Sequence, residues 1–171
     1  IDGHGDPNTA PEYQLAIEAL YSLSYKAKFI IKKQSGLDYV VPPLEGLWWA
    51  ADMDAFSTQD KSVWQWTMMI MQPDGVNAEV IAQATAEVEH KKNPPALARI
   101  RLQSLDESHA LQIMHIGPYA EEAETIARMH AFAADNGYAL VGKHHEIYLS
   151  DPRKVAPQKL RTVLRQPVEA E

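Results

Sequence analysis

Cysteine is absent from all 171 residues, and with it go disulfides, thiol nucleophiles and thiolate metal sites. Any chemistry here must be done by carboxylates, hydroxyls, imidazoles and water. Basic residues are also in short supply: 16 Lys plus Arg face 23 Asp plus Glu, for a formal net charge of −7. Nucleic-acid affinity draws on clustered cations that displace counterions from phosphates, so no direct nucleic-acid contact is expected. No apolar run approaches the ~18 residues of a membrane span, and no charged-then-apolar leader opens the chain. No membrane association is expected, and the missing thiols fit a cytoplasmic location. The first residue is Ile1 rather than Met, so the native chain is expected to begin upstream.

With 46% hydrophobic and 23% charged residues, the composition is that of one globular domain spanning residues 1–171. Thr9 and Glu12 have capping-box spacing, and Ala16, Leu20, Leu23, Ala27, Ile30 and Ile31 recur every three or four residues up to Gly36, which predicts a helix. A strand is expected between Tyr39 and Ala51, broken by Pro42-Pro43, and another from Val63 to Met71. A helix follows from about 77 to 92, closed by Asn93-Pro94-Pro95. Strands are expected over Ala98–Leu105 and His109–Gly117, a helix over Ala120–Ala134, then strands over Leu140–Leu149 and Leu160–Arg165.

These elements repeat. A strand ending in glycine, a helix and two strands occupy about 1–75 and again about 98–169, with the helix at about 77–92 as the link. Thr67-Met68-Met69-Ile70-Met71-Gln72-Pro73 is echoed by Thr162-Val163-Leu164-Arg165-Gln166-Pro167. The expected fold is α+β: duplicated strand-helix-strand-strand modules about a pseudo-twofold axis, with an antiparallel sheet, helices on one face and a central ligand cleft. Repeat interfaces are favoured places for ligands.

Two clusters carry the candidate chemistry. In His144-His145-Glu146-Ile147-Tyr148-Leu149, a strand would put His144, Glu146 and Tyr148 on one face and His145, Ile147 and Leu149 on the other. The second face is the greasier and is expected to meet the helices. The first offers a carboxylate between an imidazole and a phenol, which suits cation binding or general-base work, or is simply a solvated strand face. The other cluster is Trp48, Trp49, Trp64 and Trp66. Trp48 and Trp49 would point to opposite faces, whereas Trp64 and Trp66 would share one. Such rings fill cores, or wall a flat pocket that stacks on planar ligands and attracts cations.

Other chemistries find little support. The seven His are scattered, as at His90, His109, His115 and His130, with no H-x-x-x-H pair, so no metal is expected. No G-x-S-x-G nucleophile motif occurs. Gly3-His4-Gly5 and Gly117-Pro118 make no phosphate loop, and no cofactor is expected. The acidic run Glu121-Glu122-Ala123-Glu124 suits a helix start, and Asp52-Met53-Asp54 is a second such run.

The segments His115-Ile116-Gly117-Pro118-Tyr119, Asn136-Gly137-Tyr138, Glu146-Ile147-Tyr148-Leu149-Ser150-Asp151-Pro152 and Thr162–Pro167 resemble the GyrI-like small-molecule-binding family. The resemblance implies the duplicated module. It also implies a pocket like that of multidrug-sensing regulators, with Glu146 among aromatic rings pairing with cationic drugs. The segment Pro42-Pro43-Leu44-Glu45-Gly46-Leu47-Trp48-Trp49 is similar to a stand-alone subfamily, some members of which hydrolyse cyclopropanoid DNA-alkylating compounds. For such a reaction Glu146 would activate water, Tyr119 or Tyr148 would hydrogen-bond the oxygen that gains charge, and Trp48 or Trp49 with Trp64 or Trp66 would hold the flat ligand. The same pocket without turnover would be a drug-sequestering or effector-sensing module, so the partner is a small molecule in either case.

Overall fold

The computed structural model describes residues 1–50 and 61–171; the acidic run Asp52-Met53-Asp54 lies outside the described residues. In chain order the elements are β1 (Asp2–His4), α1 (Pro11–Ser35), β2 (Leu44–Trp49), β3 (Gln65–Ile70), α2 (Ala78–Lys91), β4 (Ala110–Ile116), α3 (Glu122–Asp135), β5 (Tyr138–Leu140), β6 (His144–Tyr148) and β7 (Arg161–Ala170). Among the described residues the order strand-helix-strand-strand thus occurs twice, the second time with the short β5 inserted after the helix. All strand pairs described below are antiparallel, as expected of this α+β fold. Among the described residues no helix is long and apolar enough to cross a membrane. By contacts the chain forms two compact units: Ile1–Leu44 with Ala50–Ser104, and Glu45–Trp49 with Leu105–Glu171.

In the first unit β1 pairs with β3, and the register sets Gly3 opposite Trp66. Only glycine fits there, because a Cβ would lie 2.1 Å from the indole. Helix α1 buries Ala16, Leu20, Leu23, Ala27, Ile30 and Ile31, the stripe its periodicity predicts. Its start differs from expectation. The Thr9–Glu12 capping box does not form; Ala10 is the N-cap with no side-chain cap bond. Pro11, with its fixed φ and missing N–H, opens the helix instead. Gly36 ends it at φ 76°, donating its N–H to the Lys32 carbonyl. Helix α2 is capped by Asn77, whose Oδ1 accepts from the Val80 amide at 3.0 Å. Its Val80, Ala84 and Val88 pack with Leu23, Ala27, Ile30, Ile31 and Leu97 into one apolar core.

The strand expected over Ala98–Leu105 is absent. A 3-10 turn at Leu97–Arg99 buries Leu97, and the following residues join no ladder. Side chains hold this stretch instead: Arg99 donates to the Asp2 carbonyl, and Arg101 Nη2 lies 2.9 Å from Asp2 Oδ1. Its alternating pattern serves ion pairing rather than a sheet.

In the second unit the strands run β2-β6-β7-β4, and β5 pairs with the far end of β7. Gly46 lies opposite Glu146 and Trp48 opposite His144. On β7, Leu164 faces Glu146 and Thr162 faces Tyr148, and His115 of β4 pairs with Thr162. Directly paired residues share a face, so Trp48, His144, Glu146, Tyr148, Thr162, Leu164 and His115 stand on one side. Helix α3 lies on that side, where Thr125 bonds the His115 ring at 2.9 Å. This corrects the expectation that the His145, Ile147 and Leu149 face meets the helices. Leu149 is 41% exposed on it. The choice is made by the neighbouring strands, since Leu164 and Thr162, both 0% exposed, form the core under α3.

Candidate functional site around Glu146

Glu146 sits in mid-strand, where alternation points it to the α3 side. Gly46 opposite it on β2 carries no side chain. Two side chains flank that position. Tyr148 donates its hydroxyl to Glu146 Oε2 at 2.7 Å, and Trp48 Nε1 donates to the Tyr148 oxygen at 3.1 Å. Trp48 pairs with His144, four residues from Tyr148 and so roughly 13 Å along the strand. The indole and phenol therefore lean towards each other across the gap at Gly46.

His144 lies 3.3 Å through Nε2 from Glu146 Oε1. At 2% exposure it backs the carboxylate rather than facing a ligand. The His130 ring on α3 has its pKa lowered, first by burial and then by the nearby His144. The Glu146 side chain keeps 13% of its surface, a narrow opening on a carboxylate that accepts from Tyr148 and lies against His144.

Tyr119 approaches from the turn between β4 and α3. Gly117 there has φ 147°, a conformation that favours glycine, and Pro118 leads into the 3-10 turn Tyr119–Glu121. Behind the turn, His115 Nε2 lies 3.2 Å from the Pro118 carbonyl and Nδ1 2.9 Å from Thr125 Oγ1. A carbonyl only accepts, so Nε2 carries a hydrogen. The Tyr119 ring meets Tyr148 edge to face, with centroids 5.6 Å apart at 79°. Burial, then the charges of Glu122, Glu146 and Asp151, push its pKa up to about 12. The hydroxyl is thus a neutral donor, and among the described residues it has no hydrogen-bond partner. Asp151 itself is held down at about 2 by its bonds from Arg153, which shape the turn after β6.

Of the eight residues singled out in the sequence, Glu146, Tyr148, Tyr119, His144 and Trp48 come together. Trp49 is on the opposite face of β2, with Lys143 Nζ 3.3 Å from its ring centroid. The two remaining tryptophans belong to the first unit. Trp66 is 0% exposed, set edge-on to Tyr13 at 5.4 Å, and is a core residue rather than a pocket wall. Trp64 precedes β3 and has Lys61 Nζ 5.0 Å from its ring. Sequence reasoning missed the support given by His115 and Thr125, although the H-x-G-x-Y spacing of 115–119 was the signal available. Among the described residues no three His, Asp or Glu side chains are placed to hold a metal ion.

Comparison with known proteins gives this geometry its context. The family described as GyrI-like small molecule binding domain matches residues 1–169. An uncharacterized conserved protein from Listeria innocua is 41% identical, with a TM-score of 0.91 over 99% of this chain and 85% of that one. A hydrolase from Listeria innocua is 38% identical, with a TM-score of 0.84 over 99% and 85% of the two chains. The EcmrR C-terminal domain shares the fold at 16% identity, with a TM-score of 0.53 over 91% of this chain and 82% of that one. No curated protein matches the chain.

Proposed function

The chain belongs to the GyrI-like small-molecule-binding family, and from that premise we propose that the Glu146 face binds planar aromatic or cationic small molecules and hydrolyses cyclopropanoid DNA-alkylating compounds. The observation that carries this reading is the Trp48–Tyr148–Glu146 chain, which aims a carboxylate beside a strand position that has no side chain. A half-closed carboxylate among aromatic rings suits a flat cation by charge and ring-face attraction. The same carboxylate suits a water that it can deprotonate.

For hydrolysis, Glu146 takes a proton from water as the water oxygen bonds to the strained cyclopropane carbon. The ring carbon–carbon bond breaks, and its electron pair ends on the conjugated carbonyl oxygen. That oxygen takes its proton from a phenol, and the proton on Glu146 returns through solvent to restore it. Tyr119 fits this donor role better than Tyr148, whose hydrogen is committed to Glu146. Binding without turnover is the competing reading, a sequestering or effector-sensing module.

Incubating the protein with a cyclopropanoid alkylator and following the ring-opened product by mass spectrometry separates the two. Glu146→Gln is expected to lower turnover by about 10²–10⁴-fold, the range for loss of a general base. Undiminished turnover in that variant overturns the mechanism. Binding with no product in the native protein supports sequestration instead.

A further inference from the structure

We infer that Glu45 and His145 are positioning residues for this site: a carboxylate–imidazole–carboxylate clamp on the far face of β6 holds β2 in the register that delivers Trp48. The clamp is a set of contacts in its own right, and its bearing on ligands rests on the reading of Glu146 given above. His145 is 1% exposed, and both ring nitrogens are in use. Nε2 lies 2.9 Å from Glu45 Oε2, and Nδ1 lies 2.9 Å from Glu107 Oε2. Arg165 Nη1 then donates to Glu107 Oε2 at 3.1 Å, while its Nε and Nη2 hold Gln112 Oε1. Side chains thus link β7 through the loop at Glu107 to β6 and β2.

Such a clamp bears directly on the β2–β6 ladder. Only Glu45–Trp49 belong to the second unit, and the chain on either side belongs to the first. Four residue pairs tie it to β6. A slip of one residue would turn Trp48 to the wrong face, and a slip of two would keep the face but carry the indole roughly 7 Å from Tyr148. It would also put a side chain opposite Glu146 in place of Gly46. Glu45 is two residues from Leu47, the partner of His145, so it reaches the imidazole diagonally on that face. In a slipped register that diagonal is lost, so the clamp reads the register and fixes it. Among the described residues the hydrogen-bond partner of the Glu45 side chain is His145, on the face away from the ligand, so it acts through the backbone of β2.

The test compares Glu45→Ala and Glu45→Gln with the native protein by hydrogen exchange of peptides covering 44–49 and 161–170, and by fluorescence titration with ethidium. In Glu45→Ala, exchange across 44–49 is expected to rise at least tenfold while 161–170 stays within twofold, and the ethidium dissociation constant to rise about tenfold. Glutamine still accepts from the ring, so Glu45→Gln is expected to return both readouts to within about threefold of native. Unchanged exchange over 44–49 in Glu45→Ala overturns the clamp. Uniform acceleration across both segments also overturns it, because that marks general loss of stability. Glu45→Gln behaving like Glu45→Ala overturns the hydrogen bond as its cause. If native protein binds no ethidium, the ligand reading is struck while exchange still decides the clamp.

Discussion

On one face of β6, His145 has a carboxylate against each ring nitrogen, and one of those carboxylates is in turn held by Arg165. On the other face, His144 backs Glu146, whose second oxygen is held by Tyr148, and the carboxylate stays partly open with the Tyr119 ring set against Tyr148. The two histidines are adjacent in sequence and differ only in which way the pleat turns them. In the first network both ring nitrogens of His145 and both oxygens of Glu107 are matched inside the protein. The second keeps 13% of its carboxylate side chain exposed, the side from which a ligand would reach Glu146. Closed polar networks contribute order; unfinished ones contribute recognition.

The largest effect expected from this contrast is on stability. His145→Ala leaves Glu45 and Glu107 buried without the ring between them and should cost about 3–5 kcal/mol. That corresponds to a fall in Tm on the order of 10 °C for a chain of this size. Glu146→Gln should leave Tm within about 2 °C, because the amide still accepts from Tyr148 and its neighbourhood is partly wet. Thermal melts that rank the two variants the other way would dissolve the contrast.

Next comes Tyr119→Phe, which removes the outward-facing donor. Turnover of a cyclopropanoid should fall about 100-fold, as for loss of one oxyanion donor, while the ethidium dissociation constant moves less than about threefold. The pH dependence follows from the raised pKa of about 12 against an ordinary 10. The folded state favours the protonated phenol, so its contribution is fully present below pH 10 and is lost as pH rises from 10 to 12. Turnover that needs this donor should not decline with its ionisation until pH approaches 12, and a loss of Tyr119 protonation near pH 10, seen by ultraviolet difference spectroscopy against Tyr119→Phe, would refute the assignment. The smallest effect belongs to Trp48→Phe. Loss of the indole N–H bond to Tyr148, with a small cavity, should cost about 1–2 kcal/mol in Tm measurements and weaken ethidium binding about fivefold.

How much of this was legible in the sequence differs by feature. The α1 stripe and its Gly36 stop could be read because a helix repeats locally. The shared face of His144, Glu146 and Tyr148 followed from strand alternation alone. Which face carries α3 did not, because that depends on Thr162, Leu164 and His115, which come from other strands. The strand expected at Ala98–Leu105 failed for a related reason: its Arg side chains reach Asp2, almost a hundred residues away. The clamp was hidden most thoroughly. Glu45 and Glu107 lie 100 and 38 residues from His145, and nothing in a local pattern marks them as its partners. Trp66 misled because buried and pocket-lining tryptophans look alike in sequence; the close fit of its indole to Gly3 is visible only across strands.

The placement of β2 also bears on modularity. A chain with two repeats invites the idea that the later one could be cut out, as a gene fragment or as a minimal binding domain. Residues 105–171 would carry Glu146, Tyr148 and Tyr119, yet they would end at β6 with a bare edge where β2 had been. Bare edges of this kind pair with other chains and aggregate. The two repeats of element order are therefore not independent modules: a tandem copy of either would not inherit the function, and recombination within this architecture has to carry residues 45–49 along with the later half.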